Sequence, residues 1–239
     1  MHPVPGPPRV SSLASGRIDM PDRSKLKERP KSSDQSANLT SAVVERDAIR
    51  NVIAEWALAR DTGQWEKLRS LYAPGATMQT TWFEGSADEF IERSAKGFGR
   101  SAKAQHLVGA SVIDLCGARA IAETRIVLLL RAALGQIHVD VTCYGRFVDL
   151  FENHTSKWRI CKRVPIYEKD RMDPVNPAKQ IEIDHEVLSQ FSEGYRHLAY
   201  VQSRAGANVT KGLIEPGSVE EKDLYREGAE WLAQGRSKS

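Results

Sequence analysis

The hydrophobic pattern of the chain changes its period near Gly99, and this change constrains the fold more than any other feature. Before that point, apolar residues recur every three or four positions, which is the spacing of amphipathic helices. After it, the pattern shifts toward period two, which is typical of strands. Four strands are predicted, over residues 104–114, 119–131, 136–152 and 157–169. Helices followed by a run of long antiparallel strands indicate an α+β fold rather than alternating β and α units.

Three helices are predicted before the strands. The first runs from Ser41 and ends at Thr62-Gly63, because a glycine readily adopts the left-handed conformation that ends a helix. A short second helix stops before Pro74-Gly75, and a strand over residues 76–83 follows. Ser86 then opens the third helix as its N-cap. We expect a cone-like barrel, in which these helices pack on a strongly curved, mainly antiparallel sheet that encloses a cavity.

Composition divides the chain into three regions. Residues 1–38 are rich in Pro, Ser, Arg and Lys and are predicted to be a disordered basic tail, since they cannot bury enough apolar surface to offset the entropy of ordering. Residues 39–172 form the predicted cone domain. Residues 173–239 contain many large apolar side chains, so we expect this extension to dock on the cone or on a neighbouring subunit as turns and short helices.

Charge and motif content exclude several classes of function. The net charge of +3 comes from the basic tail, so the rest of the chain is close to neutral and nucleic acid is not an expected partner. No stretch approaches the roughly 18 apolar residues of a membrane span. The three cysteines occur without a secretory signal, which predicts reduced thiols and a cytoplasmic location. No metal-ligand spacing or cofactor-binding motif is found, so neither a metal nor a cofactor is expected.

Two residues stand out as candidates for chemistry, Asp61 and His106. An acid at the C-terminal end of a helix opposes the helix dipole by about 0.3–1 kcal/mol, so Asp61 is expected to have a partner that favours it there. His106 lies at the start of the first long strand. A histidine at such a place is often structural, so the residues alone leave both a structural and a catalytic role open.

Four segments resemble a known family. They read EWALARDTGQWEKLRSLYAPGATM, ADEFI, QHLVGA and KWRICKRVPIYEKDR. Their order and spacing are similar to the SnoaL-like branch of the nuclear-transport-factor-like superfamily, and within it to scytalone dehydratases and hexachlorocyclohexane dehydrochlorinases. The resemblance covers about residues 41–170. It implies that His106 is a catalytic base oriented by Asp61, in a cofactor-free lyase or isomerase acting on a small, largely apolar, cyclic or polyketide-like molecule.

The sequence departs from the dehydratases at positions that would bind substrate. Arg60 and Thr80 stand where the dehydratases carry tyrosines, and an aliphatic residue near Leu130 replaces a second histidine. Scytalone itself is therefore not the expected substrate. The candidate substrate-binding residues are Trp56, Thr80, Trp82, Tyr144, Arg146 and Tyr167. Two alternatives stay open: a non-catalytic module of the same fold that binds small molecules, and an accessory subunit of an oxygenase.

The predicted sheet also bears on assembly. The strand over residues 136–152 carries apolar residues at both odd and even positions, so both faces of the sheet are apolar there. The face turned away from the helices therefore needs a cover. The resemblance implies a homo-oligomer, either a trimer or a dimer, formed through that face. We expect light scattering at micromolar concentration to give a mass two or three times that of the 26.6 kDa chain. A mass equal to that of one chain would contradict this prediction.

Overall fold

The computed structural model describes residues 32–99 and 102–236, with side chains from Leu39 onward. The described residues from Thr40 onward form one compact unit. Most of the predicted basic tail lies outside the described residues. Its last part, residues 32–38, has a described backbone that belongs to the first helix, which therefore begins before Ser41. None of the described helices is long and apolar enough to cross a membrane.

Three helices precede the four long strands of a six-stranded sheet, as the period change predicts, and three more helices follow them. The helices are α1 (Ser32–Thr62), α2 (Trp65–Ser70), α3 (Ala87–Gly97), α4 (His185–Leu188), α5 (Arg196–Arg204) and α6 (Val219–Ala233). The strands are β1 (Tyr72–Thr80), β2 (Phe83–Ser86), β3 (Ala102–Cys116), β4 (Arg119–Leu134), β5 (Ile137–His154) and β6 (Lys157–Pro174). The predicted α+β class is confirmed, with a curved sheet that is not closed into a barrel.

The strand order in the sheet is β2-β1-β6-β5-β4-β3. All neighbouring strands are antiparallel except β1 and β6, which pair in parallel. The long β3–β6 meander forms most of the sheet, and β1 and β2 extend it at one edge. The sheet is therefore mainly antiparallel, as predicted.

The third helix begins as its sequence predicts. The Ser86 side-chain oxygen accepts a hydrogen bond from the backbone N–H of Glu89 at 3.2 Å, and two acids occupy the first turn. Both features satisfy free N–H groups at a helix N-terminus. The buried face of α1 is formed by Ile49, Ile53 and Trp56, at the spacing of about one helical turn.

The predicted strand over residues 76–83 is wrong in its bounds. Two strands occupy this region, because the chain turns at Thr81 and Trp82 and pairs back on itself. The first of them begins at Tyr72 and passes through Pro74-Gly75, which was expected to interrupt regular structure. A proline is tolerated there because the pairing of β1 with β6 is irregular between Tyr72 and Thr77, so no ladder hydrogen bond is lost.

The concave face of the sheet is covered by two sets of helices. Near one end, Phe147 and Phe151 of β5 belong to the same buried cluster as Ile53 and Trp56 of α1. At the other end, the extension supplies the cover. The buried residues there include Val141, Cys143 and Tyr167 of the sheet and Leu188, Tyr195, Leu198 and Ala199 of the extension. The part of the extension that contains α4 and α5 therefore packs on the same face of the sheet as the N-terminal helices. Helix α5 was not predicted.

The opposite face of the sheet is partly covered by α6. Leu224 of this helix belongs to a small buried cluster with Val148, Val164 and Ile166. These strand residues alternate with those that face α1, as the period of two requires. The extension thus contacts both faces of the sheet.

The packing of α5 protects one of the cysteines. Cys143 is fully buried, and its Sγ lies 3.8 Å from the carbonyl oxygen of Gly194, just before α5. Burial raises the pKa of the Cys143 thiol well above its usual value. Burial also raises the pKa of the partly buried Cys161, to about 11. Since the thiolate is the reactive form, both groups should react slowly, and Cys143 should react only when α5 moves away.

We expect iodoacetamide to leave Cys143 unlabelled in the folded chain, as measured by mass spectrometry of peptides. Leu198→Asp places a charge in the buried face of α5 and should raise the Cys143 labelling rate by on the order of tenfold or more, through local opening. Val219→Asp, at an exposed position of α6, is the matched control and should have no effect. Equal labelling of Cys143 in all three proteins would contradict the packing of α5.

Candidate active site

Asp61 and His106 are in direct contact through both oxygens of the carboxylate. Asp61 Oδ1 lies 2.6 Å from His106 Nδ1, and Asp61 Oδ2 accepts the backbone N–H of His106, also at 2.6 Å. Their side chains are only 12% and 11% exposed. An ionised carboxylate accepts hydrogen bonds, so the contact favours the tautomer in which Nδ1 carries the proton and Nε2 carries a lone pair. None of the described residues forms a hydrogen bond with Nε2.

The end of α1 places Asp61 toward β3. Gly63 ends the helix with a φ of 72°, in the left-handed region. A Cβ at this position would also lie 2.9 Å from the Phe98 ring, so glycine is required on two grounds. The carboxylate of Asp61 sits in the last helical turn, where the dipole disfavours it, and the two donors of His106 offset that effect.

Aromatic side chains form a wall around the His106 ring. The indole of Trp56 meets the imidazole edge to face, with ring centroids 5.3 Å apart, and the Phe147 ring lies at 6.5 Å. Trp56 Nε1 donates a hydrogen bond to the Tyr72 hydroxyl at 2.7 Å. Burial raises the pKa of Tyr72 to about 12, so this hydroxyl remains protonated near neutral pH. The wall is therefore uncharged and largely apolar.

A buried ion pair lies behind this wall. Arg163 donates two hydrogen bonds to Asp149, at 2.6 and 2.7 Å, and neither side chain is exposed. The Arg163 guanidinium lies 4.2 Å from the Trp56 ring centroid and 4.3 Å from that of Phe147. Burial raises the pKa of Asp149, and the attraction of Arg163 opposes this rise. Among the described residues, Arg163 Nη1 has no hydrogen-bond partner.

The sequence did not reveal the pair of Arg163 and Asp149 because a β-bulge conceals it. Phe151 pairs with Ile160 and Leu150 pairs with Lys162, so one residue of β6 is extra. Regular alternation from the inward-facing Ile160 would place Arg163 on the outer face. The bulge turns it inward. An aspartate at an inward position of β5 was the only available signal.

Four of the predicted substrate-binding residues lie on or near the concave face. Trp56 contacts His106 directly. Trp82 stacks on Phe90 with ring centroids 5.7 Å apart, and its backbone N–H donates to the Thr80 hydroxyl at 3.2 Å. Tyr167 is buried beside Tyr195 of the extension, with centroids 5.5 Å apart. Tyr167 is thus in contact with the extension rather than with the dyad.

Tyr144 and Arg146, which were also predicted to bind substrate, do not lie near the dyad. They alternate with Phe147 along β5 and therefore face the opposite side of the sheet. There Arg146 forms ion pairs with Glu123 at 2.7 Å, with Glu168 and with Glu221 of α6. This network fastens α6 to the sheet.

Arg60, which stands in place of a tyrosine of the dehydratases, has aromatic neighbours. Its guanidinium lies 5.9 Å from the Trp65 ring centroid and 5.8 Å from that of Phe90. Burial lowers the pKa of Arg60, while the neighbouring Asp61 opposes the change. Arg60 therefore adds a positive charge close to the carboxylate of the dyad.

Two pockets are described on the protein surface. The larger, of about 690 Å³, lies between β1, β6 and α6, and the other, of about 380 Å³, lies beside α2 and β1. Neither is lined by Asp61 or His106. In the part of the chain that the structure describes, no three side chains of His, Cys, Asp or Glu come together in a way that could hold a metal ion.

Comparison with known proteins places the chain among fungal relatives. The family model of the SnoaL-like domain matches residues 41–164. A PEP2-like protein of Fusarium vanettenii is 32% identical over 217 residues, which cover 85% of this chain and 92% of that protein. Pea pathogenicity protein 2 of the same organism is 34% identical over 182 residues, which cover 74% of this chain and 77% of that protein.

One solved structure supports the fold. A candidate scytalone dehydratase from Novosphingobium aromaticivorans superimposes with a TM-score of 0.50 and 17% identity, covering 60% of this chain and 99% of that one. At this identity the likeness concerns the fold alone. The match with the PEP2-like protein covers 85% of this chain, which is more than the 172 residues that precede the extension. It therefore includes part of the extension.

The buried ion pair behind the aromatic wall yields a prediction about stability. Asp149→Asn leaves the Arg163 charge without its partner and should lower the free energy of unfolding by about 3–5 kcal/mol, measured by urea denaturation. The double variant Asp149→Leu, Arg163→Met removes both charges, so its free energy of unfolding should fall by less than that of Asp149→Asn. As a control, Asp140→Asn breaks an exposed pair with Arg131 and should change the free energy by less than about 1 kcal/mol. Similar losses for Asp149→Asn and Asp140→Asn would contradict the prediction.

Proposed function

The chain belongs to the family of SnoaL-like domains, and on that premise we propose that it is a cofactor-free lyase or isomerase in which His106 removes a proton from carbon. The observation that carries this proposal is the contact of both Asp61 oxygens with His106, one at the ring and one at the backbone. Such an arrangement holds the imidazole in one orientation and one tautomer. It leaves Nε2 as the base.

The chemistry follows from the residue types. A neutral imidazole can accept a proton from a carbon atom next to a carbonyl or similar activating group. As the imidazolium forms, the negative charge of Asp61 stabilises it. Loss of a leaving group from the neighbouring carbon would complete an elimination, and return of the proton at another carbon would complete an isomerisation.

The surroundings of His106 favour a small and largely apolar substrate. Trp56 and Phe147 present aromatic surface beside the imidazole, and both side chains are buried. Flat rings suit such surfaces, because aromatic pairs gain from stacking and from edge-to-face contact. We therefore propose a cyclic, largely apolar substrate.

A second candidate function is the binding of a small molecule without turnover. The exposure of the two dyad side chains is low, and Arg60 and Thr80 replace the tyrosines of the dehydratases. This alternative predicts binding of the same class of ligand by the unaltered chain and by variants of His106.

We also propose that the chain forms a homo-oligomer. Part of the sheet face opposite to α1 is left open by α6, and there Leu107 is 48% exposed and Tyr144 is 36% exposed. A second copy of the chain would cover these side chains.

The dyad can be tested with matched variants. His106→Gln should lower kcat/KM about 10²–10⁴-fold on cyclic ketones with a leaving group at the β-carbon, because it removes the base. Asp61→Asn should cause a loss of similar size, since the amide cannot stabilise the imidazolium. The measurement is the ultraviolet absorbance of the conjugated enone product.

The control for this experiment is His154→Gln. His154 lies at the end of β5, where its Nε2 is 3.2 Å from Glu152 and its side chain is exposed. This variant should keep full activity. Unchanged turnover in His106→Gln would rule out the proposed base, and ligand binding without turnover in the unaltered chain would favour the second candidate.

A further inference from the structure

The structure contains a second histidine whose ring is held by a buried aspartate, as the ring of His106 is. Asp170 Oδ1 lies 2.7 Å from His197 Nδ1, and Asp170 Oδ2 accepts the backbone N–H of Leu198 at 2.8 Å. The Asp170 side chain is completely buried, and that of His197 is 25% exposed. As at the dyad, both oxygens of one carboxylate hold an imidazole and a backbone N–H. Nε2 is again the ring nitrogen that does not contact the aspartate.

The two histidine–aspartate pairs lie on the same face of the sheet and in the same transverse row. His106 of β3 pairs with Leu128 of β4, Leu128 pairs with Cys143 of β5, and Cys143 pairs with Asp170 of β6. Three strand intervals of about 4.8 Å separate the Cα atoms of His106 and Asp170 by roughly 14 Å along the sheet, and by less across its concave side.

Helix α5 brings His197 to this row from above the sheet. Its N-cap residue Tyr195 provides no side-chain cap, and Asp170 on β6 supplies the acceptor instead. A carboxylate is favoured at a helix N-terminus, so Asp170 also fastens α5 to the sheet. A capping role alone requires only one oxygen and no histidine. The contact between the second oxygen and the His197 ring is therefore not needed for capping.

We infer that His197 is a second acid–base residue of the site and acts as the general acid opposite His106. This inference rests on the proposed function and names its substrate class. Hydroxide leaves carbon readily only when it is protonated, whereas chloride leaves without a proton. A site with a base at one end and an acid at the other suits a β-hydroxy carbonyl compound, which loses water.

The elimination needs only these two histidines and exchange of protons with solvent. His106 Nε2 takes the proton from the carbon next to the carbonyl, and the electron pair of that C–H bond becomes the new C=C bond. The C–O bond at the β-carbon breaks with its electron pair on oxygen. That oxygen takes the Nε2 proton from the imidazolium of His197, which Asp170 holds, and leaves as water. Exchange with solvent then returns a proton to His197 and removes one from His106.

A pair of substrates with one carbon skeleton tests the inference. The probes are 3-hydroxycyclohexanone and 3-chlorocyclohexanone, which give the same enone. For His197→Gln, kcat/KM on the hydroxy ketone should fall about 10²–10⁴-fold, while that on the chloro ketone should change by less than about threefold. His106→Gln should lower both. His154→Gln should lower neither.

A second variant separates catalysis from folding. His197→Arg keeps a positive charge and a donor for Asp170 but cannot give up its proton near neutral pH. It should unfold at nearly the same temperature as the unaltered chain and still lose turnover of the hydroxy ketone. Equal losses on both ketones for either variant would show that His197 has only a structural role, and this would overturn the inference.

The outcomes for the unaltered chain distinguish the two proposals. Turnover of the chloro ketone alone would overturn the role of His197 and leave the proposed function of His106 in place. Turnover of neither ketone would count against the proposed function as well. Turnover of both, with selective loss in the His197 variants, is the expected result.

Discussion

The hydrogen bonds between the Asp61 carboxylate and His106 fix how the N-terminal helix meets the sheet. One oxygen binds the ring and the other binds the backbone N–H, so the last turn of α1 is attached to β3 itself and not only to a side chain. Trp56, about one turn earlier in α1, then lies against the imidazole. The position of the helix, the orientation of the ring and the shape of the aromatic wall therefore depend on the same contact.

Much of the fold could be predicted from the sequence because period alone distinguishes the helices from the long strands. The faces of the strands were harder to predict. In β5, odd and even positions are both apolar, so the sequence does not tell which set faces α1. Tyr144 and Arg146, which were candidates for substrate binding, lie on the face away from the dyad. The two-residue alternation of side chains also fails at a β-bulge, and the bulge in β6 therefore concealed the inward position of Arg163.

The candidate site was predicted where a local rule applied and missed where only long-range contacts apply. Asp61 at the end of a helix required a partner, and His106 is that partner. No local rule concerns Asp170, which lies in the middle of a hydrogen-bonded strand, or His197, whose helix was not predicted. Pairs of this kind arise from the packing of the extension on the sheet, which the sequence shows only as an excess of apolar residues.

Three aspartates on the concave side of the sheet follow one rule. Asp61, Asp149 and Asp170 are almost or completely buried, and each uses both carboxylate oxygens as acceptors. Burying an ionised carboxylate is unfavourable unless hydrogen bonds replace its hydration. Their partners differ: Asp149 holds an arginine, whereas Asp61 and Asp170 each hold a histidine ring and a backbone N–H.

The extension completes the core because the sheet is longer than the N-terminal helices can cover. Strands β5 and β6 each have 18 residues, and α1, α2 and α3 contact only part of their concave side. Helices α4 and α5 cover the remainder, including Cys143 and Val141. His106 stands between the two covered regions: it touches Trp56 and Phe147 on one side, and its neighbour in the row, Leu128, packs against the cluster formed by the extension. A change in the extension can therefore alter the surroundings of His106 through Leu128 without altering the contact between Asp61 and His106.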